Sequence, residues 1–483
     1  MVFPFRRPAA AAATTPAGAP PDTPAASRPA PLLGVVLMVL ALLATLKEWA
    51  PGSPAATAAA LAVPLAVALL ALRLGTRRLG FVLVALAITA GLWAEGGDWS
   101  APVMQGLGSA AFIGAFFTAL ATLRSAAESS PAIRACGLYL AQQPPGRRYA
   151  ALTLGGQAFS VLLNYGSIAL LGSLSVANAA QDKDPEIRFH RSRRMLLAVQ
   201  RGFISILPFS PLSFAVAITG GFLPDAPYAQ TALPALVTGA IVAGTGWAMD
   251  TIFKPRLSKP APARAAPEGG PSVVLPLLGL LALLGVAVLA LHFAFGVRVV
   301  GAVLVVVPTI ALGWLLLQEG PRGAARRVWR YTSVELPGYR SELQLLMLAG
   351  YIGTAGAALL VPRAAALGLD LTQIPAPLLL AGLVWLIPLT GQIGMNPILS
   401  VSLLFPLLPS PEAMGVSPVA LFLAITAGWT LSGITSPFTA TTLLIGNFAG
   451  RSAAHVGLRW NGAYAAVTGA LLTLWVLGFA FLR

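Results

Sequence analysis

The chain has 483 residues, 57% of them hydrophobic and only 10% charged, with a mean hydropathy of +0.80. A soluble domain carries roughly a quarter of its residues as charged side chains, so this composition excludes an ordinary globular protein and marks a membrane chain. The net charge of +15 would suit nucleic acid, but in a membrane chain a basic excess follows from topology; the lone Cys136 excludes an intramolecular disulfide and any Cys-rich metal site.

Residues 1–30 are rich in Ala, Pro and Thr and read as a disordered cytoplasmic tail. An extra N-terminal transmembrane helix is expected within 31–54. The stretch 55–250 reads as a first repeat, with spans near 55–73, 79–94 and 102–123 and an amphipathic piece at 127–142. An apolar stretch at 149–179 follows, interrupted at Asn164-Tyr165-Gly166-Ser167. Next come 194–223, broken at Pro208 and Pro211, and 229–249. A Pro/Ala/Lys/Arg-rich cytoplasmic linker is expected at 251–271. The second repeat, 272–483, offers spans near 272–293, 297–317 and 341–361, then a weak piece at 362–372. An interrupted stretch at 376–408, a broken span at 417–449 and a last span at 461–481 complete it. The expected fold is an all-α polytopic membrane protein of inverted repeats, with about 11 transmembrane helices, two re-entrant hairpins and two broken helices.

Charge placement supports the hairpins. With a cytoplasmic N-terminus and both interrupted stretches entering and leaving on one side, 26 of the 31 Lys and Arg residues fall on the cytoplasmic side and 4 on the other. That asymmetry is what the positive-inside rule requires. A full crossing at either stretch would reverse every later loop. The remaining basic residue, Arg201, falls inside a span and is expected to snorkel to the cytoplasmic interface. The C-terminus then lies in the periplasm, and the expected location is a bacterial inner membrane.

The halves also match in detail. Residues 202–222 and 428–448 align without gaps at Gly202/Gly428, Ser210/Ser436, Pro211/Pro437, Gly220/Gly446 and Phe222/Phe448. Upstream, each half has a Gln (Gln157, Gln392) and then an Asn in mid-stretch (Asn164, Asn396). Backbone groups freed at such turns cannot face lipid, so they must line an enclosed site. A single Pro or Ser in a span usually means a kink, but four breaks paired between halves point to a binding site. The candidate substrate- and ion-binding residues are Asn164, Gly166, Ser167, Ser210, Pro211, Ser213, Asn396, Pro397, Ser400, Thr435, Ser436, Pro437 and Thr439. With Thr441 and Thr442 they supply neutral hard oxygens suited to Na⁺. Half-helix N-termini at the breaks favour an anion. Asn164 and Asn396 are expected to lie close together near the bilayer midplane, flanked by Ser210 and Ser436.

No Asp or Glu sits in the middle of any span, which disfavours a proton antiporter. His190, His292 and His455 are far apart in the sequence, so no metal site is expected. No P-loop, Ser/His/Asp set or paired carboxylates indicate an ATPase or hydrolase; no enzyme activity is expected.

From about Pro31 onward the pattern resembles the ion transporter superfamily, which includes divalent anion–sodium symporters and arsenite-efflux permeases. Members carry a Ser-Asn-Thr type motif at each hairpin tip. Here Asn164-Tyr165-Gly166-Ser167 and Asn396-Pro397-Ile398-Leu399-Ser400 keep the Asn without the full motif. The family's Pro-containing breaks match Pro208-Phe209-Ser210-Pro211 and Thr435-Ser436-Pro437. The resemblance implies a homodimer with a scaffold and a mobile transport part in each subunit, working by an elevator motion. The combined expectation is a secondary active transporter carrying a small anionic solute, a carboxylate, inward with a cation. Na⁺ is favoured over H⁺ and is placed near Asn164 and Asn396; no other cofactor is expected. Its partners are the solute, the bilayer and a second copy, with no nucleic acid. The alternatives are an integral-membrane enzyme or accessory protein of envelope polymer synthesis, or an inorganic ion or oxyanion permease on the same fold.

Overall fold

The computed structural model describes residues 30–72, 79–128, 130–258, 270–368 and 371–482. The expected N-terminal tail and most of the 251–271 linker lie outside the described residues. The described residues are mostly helical, with no strand among them. Among the described residues, eight helices are long and apolar enough to cross a membrane.

One group of helices comprises α1 (Pro31–Trp49), α2 (Ala55–Ala71), α3 (Gly80–Glu95) and α4 (Ser100–Glu128). Against them pack α12 (Val299–Arg330) and α14 (Arg340–Ala366), with the single turn α13 (Leu336–Gly338) between them in the chain. Helices α4 and α14, the last ordinary spans of the two halves, pack along each other. Small residues set their closeness: a Cβ on Gly106 would lie 2.9 Å from the Tyr351 ring.

The second group begins with α5 (Pro131–Ala141), α6 (Pro145–Leu163), α7 (Gly166–Ala180), α8 (Pro185–Ser205), α9 (Phe214–Phe222) and α10 (Tyr228–Ile252). From the other half come α15 (Ala376–Gln392), α16 (Pro397–Leu404), α17 (Pro418–Thr435), α18 (Ala440–Ala449) and α19 (Gly462–Phe481). Helix α11 (Leu275–Phe295) buries only Leu277, Leu284 and Val288, as suits a helix turned to lipid. Helix α17 is the opposite case, with every residue from Val419 to Ile434 buried. An apolar helix buried on all sides is the centre of a bundle.

Several starts are written locally. Asp184-Pro185, Asn396-Pro397 and Ser417-Pro418 each place a capping side chain before a proline at the first helical position. Proline has no N–H to leave unpaired there, and the cap accepts from an N–H further in.

Two expectations are corrected. The weak piece at 362–372 is not a helical arm: α14 runs on to Ala366, and a short 3₁₀ turn covers Leu371–Gln373. Helix α12 continues past the expected end at 317 to Arg330, bending at Gly320, where φ is 68°. The amphipathic stretch of the second half therefore precedes its third span. Charge explains it: Arg327 and Arg330 lie 3.2 and 3.4 Å from buried Glu335, and Arg327 also donates to Ser125 O at 2.8 Å, which fixes the stretch beside the end of α4.

Candidate functional site

Each half builds a hairpin and lays it on a broken helix. In the first, α6 and α7 meet at Asn164 and both pack on α8; α8 ends at Ser205 and resumes as α9 at Phe214. In the second, α15 and α16 meet at Ile393–Asn396; α15 packs on α17, which breaks at Ser436–Thr439 before α18. The aligned glycines mark where the hairpin presses on the helix. A Cβ on Gly202 would lie 2.4 Å from Thr153 O, and one on Gly428 would lie 2.5 Å from Leu383 O. Neither site admits a side chain. The aligned phenylalanines exchange between halves. Phe222 stacks on Phe405 just beyond α16, with centroids 4.9 Å apart, and Phe448 lies on Gly172 of α7. The repeat read from the sequence is thus a repeat of contacts.

Both hairpins are closed by a pair of hydroxyls. Ser160 and Ser167 are 2.8 Å apart, and Ser167 donates to the Asn164 carbonyl at 2.7 Å. Thr390 and Ser400 are 2.9 Å apart, and Ser400 donates to the Asn396 carbonyl at 3.3 Å. The first-arm hydroxyls also donate to their own helix, Ser160 to Gly156 O and Thr390 to Ile387 O. Each clasp thus has three contacts and two hydroxyl protons. The paired Gln residues tie each hairpin to its broken helix: Gln157 donates to Ser205 Oγ at 2.8 Å, and Gln392 to Thr435 Oγ1 at 3.2 Å.

The breaks satisfy most of their own backbone. Ser213 caps α9, accepting from Val216 N–H at 3.2 Å and donating to Leu207 O at 2.7 Å. Ser210 accepts from Leu212 N–H at 3.3 Å. At the second break, Ser436 donates across to Gly391 O of the hairpin at 2.6 Å. Thr439 and Thr442 donate to Ser436 O at 2.9 and 2.6 Å, and Thr441 to Gly433 O. The freed carbonyls expected to await a cation are therefore covered by the threonines expected to join them. Pro211 and Pro437 sit inside the breaks and Pro397 starts α16, so none of the three disrupts a hydrogen-bonded turn.

Reading the sequence missed several participants. Ser160, Ser205 and Thr390 complete the contacts above. Ser432, one turn before the second break, has a buried Oγ with no hydrogen bond among the described residues, and a Cβ on Gly391 would meet it at 2.6 Å. Arg124 reaches the first hairpin tip, its Nε 3.1 Å from where a Gly166 Cβ would stand. It donates to Glu128 at 2.7 Å and lies 5.1 Å from the Tyr339 ring centroid. Around it, Tyr165 stacks on Phe203 at 5.0 Å, and Phe117 meets both Phe214 and Tyr339. A cation thus stands at a site whose candidates were all neutral; the expected span ended at 123, which made Arg124 a loop charge, whereas α4 runs on to Glu128.

Arg201 does not snorkel. It is 5% exposed; it donates to Tyr149 Oη at 3.0 Å and to Asn461 Oδ1 at 3.2 Å, and lies 4.0 Å from the Tyr464 ring centroid. These partners come from α6, α19 and the turn before it. Neutral hydrogen bonds and an aromatic face offset the cost of bringing the charge inside.

No protein-family model matches the chain, and no curated protein matches it. Solved structures do. The Alcanivorax borkumensis YdaH transporter superposes with a TM-score of 0.58 at 19% identity, over 83% of this chain and 98% of that one. The Neisseria gonorrhoeae MtrF structure, of a class of antimetabolite efflux pumps, gives 0.49 at 15% identity, over 75% and 81%. The likeness to YdaH fixes the architecture as one that a membrane transporter uses.

Proposed function

We propose that this protein is a secondary active transporter of a small anionic solute, a carboxylate, coupled to a cation, Na⁺ ahead of H⁺. The observation that carries the reading is the paired construction: two hydroxyl-clasped hairpins, each bound to a broken helix, with aligned residues exchanged between halves. Hairpins and broken helices cost unpaired backbone in a membrane, and a transport site is what such breaks supply. The fold shared with YdaH fits this reading, and extends to this chain only its general class. Arg124, ion-paired with Glu128, places a guanidinium beside the first tip. The clasp oxygens and Ser432 give the cation hard neutral ligands.

The same reading includes alternating access by displacement of the hairpin group past the α4–α14 group, in a homodimer in the inner membrane. Arg124 lies four residues before the end of α4, about 6 Å along its axis at 1.5 Å per residue. By the positive-inside rule that end is cytoplasmic. The first hairpin tip then lies beside the cytoplasmic end of α4.

Purified protein in proteoliposomes tests this. Flux of a panel of small carboxylates and oxyanions is measured in both directions under separately imposed Na⁺ and H⁺ gradients. One carboxylate should be driven by the Na⁺ gradient. Movement of neutral or cationic solutes alone, or flux indifferent to both gradients, overturns the reading.

A further inference from the structure

Arg201 is buried inside a span, and every hydrogen bond it makes among the described residues goes to a neutral oxygen: Tyr149 Oη, Asn461 Oδ1 and Gly246 O. Helix α10 comes this close because Gly246 has no side chain. A Cβ there would meet the Tyr149 hydroxyl at 3.0 Å and Arg201 Cδ at 3.1 Å. The repeat does not require such a charge, since the aligned residue of α17 is Ala427. An apolar side chain would pack α8 at less cost. What the guanidinium adds is its hold on Asn461. Fully buried, Asn461 donates from its amide to Gln200 Oε1 at 3.0 Å and to Val456 O at 3.1 Å, and its backbone N–H donates to the same Val456 O. Those bonds close the π-helical turn His455–Trp460. Gly457 of that turn lies on the last carbonyl of α17, where a Cβ would overlap Thr435 O. Arg201 lies one turn before the end of α8 at Ser205. One side of the Arg201–Asn461 contact is therefore the edge of the first break, and the other side leads to the edge of the second. The hairpins are tied to the same edges, Gln157 to Ser205 and Gln392 to Thr435.

We propose that Arg201 and Asn461 are positioning residues that hold the two breaks at one spacing, so that the half-sites of the two repeats act as a single site. That the site is a transport site rests on the reading above; the coupling of the breaks does not. A guanidinium suits the task because its donors are fixed in one plane. Nε and Nη2 both point at Asn461 Oδ1, at 3.3 and 3.2 Å, while Nη1 reaches Tyr149, so one rigid group orients α8 against α6 and the start of α19. The Tyr464 ring covers it from α19. The contact joins residues 260 apart in sequence, one from each half of the chain. A side chain that only filled space on α8 would leave the second break indifferent to its loss.

Hydrogen exchange of the full chain in detergent, read over residues 436–439, tests this. There Phe438 N–H is held by Ser436 Oγ and Thr439 N–H by Ser436 O, and Arg201 bonds to neither. Arg201→Met keeps the length of the side chain and removes its donors. It should speed exchange at both amides by about tenfold, the factor that one lost hydrogen bond to a charged group gives. Arg201→Lys should recover part of the protection. Asn461→Asp keeps an acceptor for Arg201 but loses the amide donor to Val456 O, and should speed the same amides with no fall in melting temperature. Val476→Ala opens a cavity about four turns further along α19, and should lower the melting temperature without speeding either amide. Unchanged exchange in Arg201→Met or, should that variant not fold, in Asn461→Asp overturns the proposal. So does equal speeding in Val476→Ala, which would make the effect a general loss of stability. In proteoliposomes the first two variants should raise the solute concentration for half-maximal flux several-fold, with a smaller fall in maximal rate; a fall in maximal rate alone overturns the positioning role. Exchange needs no flux, so absence of flux from the unaltered protein would strike the transport reading alone.

Discussion

The two hairpin tips use the same residue types and different backbones. At the first, Asn164 itself makes the turn, with φ 49° and ψ −130°. That is the region of the first central residue of a type II′ turn, which glycine enters without steric cost and which Asn tolerates. At the second, Gly394 takes the positive φ, 92°, and leaves Asn396 in extended backbone (φ −66°, ψ 140°). There its side chain accepts from Ile398 N–H at 3.0 Å and caps α16. One Asn is a bend and the other a cap. What the tips share is the hydroxyl clasp and the Asn carbonyl it holds. The breaks differ too: both serines accept from the N–H two residues on, at 3.3 Å, but Ser436 also bonds across to its hairpin.

Cross-linking gives the largest expected effect. In a Cys136→Ser background, Phe117→Cys and Phe214→Cys joined by a short thiol-reactive reagent tie α4 to the first broken helix. Phe222→Cys and Phe405→Cys joined in the same way tie the first broken helix to the second hairpin. The first link should abolish flux and the second should leave most of it. Equal tolerance of both would sink the displacement of one group past the other.

Serine removal separates the breaks. Ser436→Ala loses both the bond to the hairpin carbonyl and the local bond from Phe438 N–H and should cost about 1–3 kcal/mol; Ser210→Ala, losing one long local bond, should cost less than about 1 kcal/mol. Thermal unfolding in detergent reads the difference. Equal costs would mean that the cross-hairpin bond contributes nothing beyond the local one.

The Asn pair responds to smaller changes. Asn164→Gly should be neutral to within about 1 kcal/mol, and Asn164→Ala should be worse than Asn164→Gly, because alanine keeps the steric cost without the amide. At Asn396 the cap sets the scale: Asn396→Ala should cost about 0.5–2 kcal/mol, and Asn396→Gly only a few tenths. The ranking of variants by melting temperature checks both. If alanine were as good as glycine at Asn164, the turn would not be what selects that residue.

The sequence determined the membrane class, the two halves, and the positions of all four breaks. Each rests on a local cause: long apolar runs require a bilayer, and Asn164, Pro208, Pro211, Asn396 and Pro437 stand where helices stop. It also marked Gly202 with Gly428 and Phe222 with Phe448 as equivalents, though not why. Only the tertiary structure decided what the marked residues do. Thr439, Thr441 and Thr442 cover carbonyls of their own break, because backbone left unpaired away from water must find the nearest donor. Arg124 faces a hairpin tip forty residues on, and Arg201 is held by Tyr149 and Asn461 from far along the chain. A charge near the end of an apolar run reads the same whether it meets water, lipid headgroups or another helix. The partner that decides among them is brought there by packing alone.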